Sequence, residues 1–227
     1  MSMSPNDTGV FHWGVAGLPA AARPALRSPA LAVKRVLDVV LALTLLGASA
    51  PILLLAVLAV RLTSRGPAIF VHDRIGYRCR RFSMIKLRTM VQGAEREEAR
   101  LAAENGGRIF FKLENDPRVT RVGRLLRRFS LDELPQLVNV LRGDMSLVGP
   151  RPLLVSDLRR FPAYRQQRRF AMKPGLTGLW QVSGRSLLSD DERIRLDDEY
   201  ARRWSLRLDL AILARTPAAV LSGRGAT

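Results

Sequence analysis

The alternation of apolar and polar positions divides the chain into four regimes. Residues 1 to about 29 carry Pro, Ala, Gly and Ser without sustained periodicity, and the expected state of residues 1–30 is a flexible tail. No basic stretch leads directly into an apolar segment with a cleavage site, so these residues do not read as a signal peptide. Lys34 and Arg35 open a second regime: Val39 to Val60 holds 22 residues without a charge, and Arg61 closes it. A straight helix of that length would be roughly 33 Å long, enough to cross the apolar core of a bilayer.

Three features argue against a simple crossing. Pro51 follows Gly47, Ala48, Ser49 and Ala50 near the middle of the run and would break or bend a helix there. Both flanks are basic, which places both ends on the cytoplasmic side by the positive-inside rule. Asp38 lies one turn into the run and needs a cation such as Arg35 or a polar neighbour. Residues 31–65 therefore read as a helix that enters the membrane, bends and returns, with an ordinary spanning helix as the alternative.

The third regime, residues 66–222, reads as a compact domain of α+β class, mostly helical. Ala68-Ile69-Phe70-Val71 and Phe82-Ser83-Met84-Ile85 flank a polar turn at Gly76 and predict a β-hairpin. Gln92 to Glu104 predicts a solvated helix. Thr120 to Phe129 predicts a helix with Val122, Leu125, Leu126 and Phe129 on one face and four arginines on the others. Such a helix suits either an anionic membrane surface or a core. Ser130 followed by Glu133 is a capping-box pattern, so a helix is expected to start there and to stop at Gly143. Tyr164 to Phe170, Asp190 to Trp204 and Leu206 to Leu221 predict further helices, the last apolar enough to lie in a membrane interface. Residues 223–227 form a C-terminal tail.

Composition narrows the partners. Against 20 Asp and Glu stand 37 Lys and Arg, a formal charge of +17 that calls for nucleic acid, anionic lipid or a phosphorylated substrate. Aromatic residues make up only 6%, which leaves few platforms for stacking bases. The single cysteine, Cys79, rules out an internal disulfide and a thiolate metal cluster. His12 and His72 are too few for a zinc site, and His72, in a predicted strand, reads as structural.

The chemistry concentrates in Ser130-Leu131-Asp132-Glu133-Leu134-Pro135-Gln136. Two adjacent carboxylates follow Arg124, Arg127 and Arg128. Locally this is equally a well-capped helix start. Gly149-Pro150-Arg151-Pro152 holds one arginine between two prolines, an arrangement that suits bidentate phosphate recognition or a plain rigid turn. Lys173 to Arg185 is a glycine-rich loop whose spacing is neither a P-loop nor a dinucleotide fingerprint.

These segments in this order resemble the bacterial sugar transferase family, the monotopic polyprenyl-phosphate sugar-1-phosphate transferases. The resemblance rests on Lys34-Arg35 with Asp38, Pro51, Lys86-Leu87-Arg88-Thr89-Met90 and Asp116-Pro117-Arg118. It continues through the Asp132-Glu133 stretch, Gly149 to Pro152, Lys173 to Gly178 and Asp197 three residues before Tyr200. It implies transfer of a sugar 1-phosphate from a UDP-sugar to undecaprenyl phosphate with release of UMP, at the start of surface-glycan assembly. Asp132 would be the nucleophile and Glu133 the Mg²⁺ ligand. Arg127, Arg151 and Arg185 would hold phosphates, with Lys86, Arg88 and Asp197 elsewhere in the site. The family usually has serine just before the hairpin proline. Here it is Ala50, which leaves Ser49 and Pro51 to shape the bend. The implied location is the bacterial inner membrane with both termini cytoplasmic. Anionic lipids are expected partners, a homodimer stays open, and no nucleic acid is expected. The competing readings are a basic nucleic-acid binder, a membrane-tethered scaffold and a glycosyltransferase of the Asp-x-Asp type, whose motif the sequence lacks.

Overall fold

The computed structural model describes residues 29–94, 116–155, 168–223 and 225. The predicted N-terminal tail, nearly all of the predicted Gln92–Glu104 helix and most of the Tyr164–Phe170 helix lie outside the described residues. The described part is α+β and mostly helical, as the sequence predicts.

The apolar run forms one helix, α1 (Pro29–Thr63), and Pro51 sits inside it without ending it. Proline removes one backbone donor and need only bend a helix whose neighbouring turns are otherwise secured. Ser49 Oγ lies 3.4 Å from the Leu46 carbonyl oxygen, in the turn before the proline. The end of α1 is capped from a distance: Arg88 donates to the carbonyl oxygens of Ser64 (2.9 Å) and Arg65 and to Ser64 Oγ (2.8 Å).

The predicted hairpin is present and longer than expected. β1 (Ile69–Ile75) pairs antiparallel with β2 (Arg81–Leu87), from Ile69 opposite Leu87 to Ile75 opposite Arg81. Alternation on β1 leaves Ile69, Val71 and Asp73 exposed and half-buries Phe70, His72 and Arg74. The next helix, α2 (Arg121–Arg128), is capped by Thr120, whose Oγ1 accepts from Gly123 N at 2.9 Å. A side chain at Gly123 would meet the Thr89 carbonyl oxygen at 2.0 Å, so glycine is what lets α2 rest on the segment after β2.

The capping box predicted at Ser130 does not form. Ser130 is left-handed (φ 53°) with no capping bond, Leu131–Glu133 is a single 3₁₀ turn, and α3 (Gln136–Arg142) begins only after Pro135. The Ser130 hydroxyl and the Glu133 carboxylate are engaged by Arg185 and Arg151 instead. α3 stops at Gly143, left-handed at φ 88°, as predicted.

Three short strands follow: β3 (Ser146–Val148), β4 (Leu153–Leu154) and β5 (Gly175–Thr177). β4 joins the hairpin in the order β2-β1-β4, and β3 pairs with β5 in parallel. The chain closes with α4 (Asp190–Arg203) and α5 (Leu206–Leu221), both at their predicted positions. Ser189 and Glu192 make a complete capping box on α4.

Two apolar clusters hold these elements together. The larger gathers Leu137, Val140, Met145, Tyr200 and Ile212 around Ala42 of α1. The smaller gathers Leu87 and Leu126 around Ala56 and Val60 of α1. β2 contributes to both, through Met84 and Leu87. The two halves of α1, on either side of Pro51, are thus seated on the same body. The opposite face of α1 is open, with Leu54 70% and Leu62 77% exposed. An apolar face of this length needs lipid or another apolar partner to cover it.

The N-terminal turns of α1 are bolted down by polar contacts. Arg35 donates to the carbonyl oxygens of Val140 (2.6 Å) and Leu141 (2.8 Å) at the end of α3, a site that favours a cation. Asp38 therefore does not use Arg35. It accepts from Ser146 Oγ (3.1 Å) and Leu147 N (3.0 Å) on β3. Lys34 reaches Asp209 at 2.7 Å and the Val148 carbonyl oxygen at 3.0 Å.

Candidate active site

A cavity of about 690 Å³ opens between the hairpin, the 130–133 turn and the Gly149 and Gly178 loops. Its wall brings together Lys86 and Arg88 from β2 and its C-terminal extension, Arg127 from α2, Asp132 and Glu133, Arg151 and Arg185. Residues 86 to 185 of the sequence are needed to supply these groups, and three local devices place them.

The first device is backbone contact between loops. Gly149, Gly175 and Gly178 lie against one another. An added Cβ would meet Lys173 O at 2.3 Å from Gly149, Gly149 N at 2.1 Å from Gly175, and Gly149 O at 2.3 Å from Gly178. Gly149 N donates to Thr177 O (3.0 Å), and Gly175 N to Pro150 O (2.9 Å). The second device is a pair of left-handed residues, Ser130 (φ 53°) and Arg185 (φ 56°). Arg185 Nη2 donates to Ser130 Oγ at 2.8 Å, joining the two strained positions across the site. The third is the close seat of α2, from which Arg127 Nε donates to Thr89 Oγ1 at 2.9 Å.

Electrostatics set the reactivity. Asp132 is 8% exposed. Burial, and then the neighbouring Glu133 carboxylate, push its pKa up from 3.8 to about 6, against the pull of Lys86, Arg127 and Arg151. A helix N-terminus would by itself favour the anion. Asp132 sits in a 3₁₀ turn before α3, and the loss of water outweighs any dipole. Lys86 is lowered from 10.5 to about 8, chiefly by burial and then by Arg74. Its Nζ lies 5.2 Å from the centre of the Phe70 ring. Burial also lowers Arg127 and Arg185, while Glu133 holds Arg151 upward through a 2.7 Å ion pair. Several perturbed titratable groups in one cavity mark a functional site.

Two predicted residues differ in placement. Arg88 reaches the cavity wall, but its guanidinium caps α1 rather than pointing to a phosphate subsite. Asp197 is fully buried behind the cavity, 2.8 Å from Arg169. Burial pushes its pKa up to about 7 despite that pairing. Arg169 Nη2 in turn donates to the Arg151 carbonyl oxygen, so Asp197 supports the arginine loop from below. The sequence reading passed over Trp180, a cavity residue with Arg151 5.8 Å and Arg193 5.4 Å from its ring centre. Its position within the Lys173–Arg185 loop was the available signal. His72, read as structural, also faces the cavity.

A profile described as bacterial sugar transferase matches residues 29–223. The chain belongs to the bacterial sugar transferase family. A Caulobacter vibrioides relative named UDP-glucose:undecaprenyl-phosphate glucose-1-phosphate transferase is 45% identical over 88% of this chain and 75% of its own length. The exopolysaccharide production protein ExoY of Rhizobium meliloti is 41% identical, over 85% of this chain and 87% of its own. The undecaprenyl-phosphate galactose phosphotransferase of Salmonella typhimurium is 42% identical, over 85% of this chain. This sugar transferase spans only 41% of the Salmonella protein and 44% of a galactosyl transferase, CpsE, from Streptococcus agalactiae. The match begins at the first residue of α1, so the apolar helix is part of what the family shares.

As a transferase site, the cavity offers one carboxylate pair and a ring of cations. Among the described residues no group of three or more His, Cys, Asp or Glu could hold a metal ion unaided.

Proposed function

We propose that this chain moves a sugar 1-phosphate from a UDP-sugar to undecaprenyl phosphate, the first step of an exopolysaccharide or related surface glycan. The observation that carries the reading is the Asp132–Glu133 pair, set among Lys86, Arg127, Arg151 and Arg185 in one cavity. A diphosphate repels an attacking carboxylate, and fixed cations offset that repulsion as charge moves in the transition state. The names of the Caulobacter and Salmonella relatives support the same acceptor and cargo.

In this mechanism a carboxylate oxygen of Asp132 attacks the β-phosphorus of the UDP-sugar. The bond from that phosphorus to the bridging oxygen breaks, and UMP leaves with the electron pair. The product is an acyl phosphate carrying the sugar on Asp132. An oxygen of undecaprenyl phosphate then attacks the same phosphorus and frees Asp132. Lys86 and Arg127 flank the nucleophile, while Arg151 and Arg185 hold the phosphates. Glu133 fits as a Mg²⁺ ligand, because that ion is commonly held by one or two carboxylates with phosphate oxygens and water completing its shell. Bound there, Mg²⁺ would screen the diphosphate and stabilise the departing UMP oxygen.

The same reading places α1 in the cytoplasmic leaflet as a re-entrant element, bent at Pro51, with the domain and both termini on the cytoplasmic side. Its support is that both halves of α1 pack on one body while their outer face stays apolar and open. Basic surface residues would add about 1 kcal/mol each on anionic lipid.

The test is UMP release by the detergent-purified protein given undecaprenyl phosphate, Mg²⁺ and a panel of UDP-sugars. Turnover with at least one sugar, dependent on acceptor and metal, is the expected result. No UMP from any donor would overturn the assignment. Single cysteines introduced at Ser4, before α1, and at Ser222, after it, in a Cys79→Ser background test the topology, with labelling at position 4 alone the mark of a spanning helix. Both are expected to resist an impermeant thiol reagent on intact spheroplasts.

A further inference from the structure

Arg151 is held from behind at two carbonyl oxygens. One is its own, which accepts from Arg169. The other belongs to Val148, three residues earlier at the end of β3, and accepts from Lys34 Nζ at 3.0 Å. Each cation is paired with a buried aspartate: Arg169 with Asp197 at 2.8 Å, and Lys34 with Asp209 at 2.7 Å. Asp209 is 5% exposed and lies in the first turn of α5, between leucines of an apolar helix. It gathers two more donors, the Tyr200 hydroxyl at 2.7 Å and Trp204 Nε1 at 3.1 Å. The Tyr200 oxygen is also 3.0 Å from Val148 O, so the tyrosine touches both ends of the arrangement.

A carboxylate buried this completely costs several kcal/mol in lost hydration unless it is paired and hydrogen-bonded. An apolar residue would secure α5 more simply. What the charged version adds is direction. Lys34 is fixed by Asp209 at one donor and aims another at a single backbone oxygen. Between that oxygen and Arg151 lie only Gly149 and Pro150. Pro150 has a restricted φ, and Gly149 is wedged against Gly175 and Gly178. A shift of Val148 therefore passes to Arg151 with little slack.

We propose that Asp209, acting through Lys34 and Tyr200, is a positioning residue for Arg151, so that the seating of the membrane helix sets the geometry of the phosphate-binding arginine. This rests on the reading of Arg151 as a phosphate ligand given above. Coupling through a shared network of contacts of this kind is expected to change the rate roughly tenfold.

The experiment is a double-mutant cycle on detergent-purified protein. Asp209→Asn in the wild-type background is expected to lower kcat/KM for UMP release about tenfold. In an Arg151→Lys background the same change is expected to cost less than twofold, because the arginine it serves is already gone. Equal losses in both backgrounds would mean that Asp209 merely stabilises the fold, and would overturn the proposal. Tyr200→Phe removes only one hydroxyl and follows the same pattern if Asp209→Asn fails to fold. A second readout needs no turnover. UDP is expected to raise the melting temperature of the wild type, and that rise is expected to shrink alike in Asp209→Asn, Arg151→Lys and the double variant. A full UDP response in Asp209→Asn overturns the proposal even if UMP release is never seen. Loss of that response without UMP release in the wild type would instead fault the assigned reaction alone.

Discussion

The chain contains the pattern Ser-x-x-Glu twice, with opposite outcomes. At Ser189 the serine accepts from Glu192 N (3.3 Å), and Glu192 accepts from Ser189 N (2.8 Å). A regular α-helix follows. At Ser130 the same spacing, with acidic residues in the same places, gives a left-handed serine, a 3₁₀ turn and no cap. Ser189 and Glu192 lie on an open surface, where each is the other's best partner. Ser130 and Glu133 face arginines from distant parts of the chain, and bonds to two guanidinium groups replace the local bonds to backbone N–H. The first stretch satisfies the local rule. The second departs from it, as functional sites do when side chains are reserved for a ligand.

The largest effect expected from breaking this contrast is at Asp132. Asp132→Asn is expected to abolish UMP release and the covalent phospho-sugar seen by intact mass. It is also expected to melt at or above the wild-type temperature. The sign follows from the raised pKa: the folded protein holds the Asp132 proton more tightly than the unfolded chain does. The ionised form is penalised at pH 7, and stability is regained as pH falls from about 6 toward 3.8. The neutral amide gains that relief at neutral pH, about 1–3 kcal/mol as an upper range. A clear drop in melting temperature would show that the surrounding cations, rather than burial, dominate at this residue.

A second effect appears in the pH profile of kcat/KM. On the proposed mechanism Asp132 must be ionised to attack, and Lys86 must be protonated to attract phosphate. The rising limb is therefore expected near 6 and the falling limb near 8. Lys86→Arg is expected to move the falling limb upward while leaving the rising limb in place. A falling limb that stays put would detach Lys86 from substrate binding.

The smallest effects sharpen the contrast directly. Ser189→Ala is expected to lower stability by about 1 kcal/mol and leave turnover within twofold. Ser130→Gly relieves a left-handed serine, so it is expected to gain a few tenths to 1 kcal/mol. It loses the hydroxyl that Arg185 uses, and turnover is expected to fall severalfold. If the two substitutions behave alike in both assays, the two stretches are not functionally distinct.

Local pattern made much of this legible. The hairpin, α2, the stop of α3 at Gly143, and helices α4 and α5 follow from alternation, helical spacing and glycine or serine at the ends. The carboxylate pair and its arginines were legible as chemistry, through their order along the chain. What stayed hidden depends on partners far apart in sequence. Lys34 and Asp209 are 175 residues apart. Asn139, with 0% exposure, accepts from Ile85 N and donates to Ser83 O across more than fifty residues. β3, β4 and β5 are two or three residues long, too short to carry a period. Asp209 itself left one trace, a lone acid early in an apolar helix, which the helix dipole alone would also favour.

The three glycines pressed together at positions 149, 175 and 178 also set limits on engineering. A Cβ at any of them meets backbone rather than a side chain that could turn aside. A library built to accept a different sugar would lose its scaffold at these positions before specificity could change. Variation belongs instead at lining positions such as Phe70, His72, Val91 and Gln92, which present side chains to the cavity. The crossing of loops beside this pocket is fixed by main-chain geometry, while these lining side chains can be rewritten.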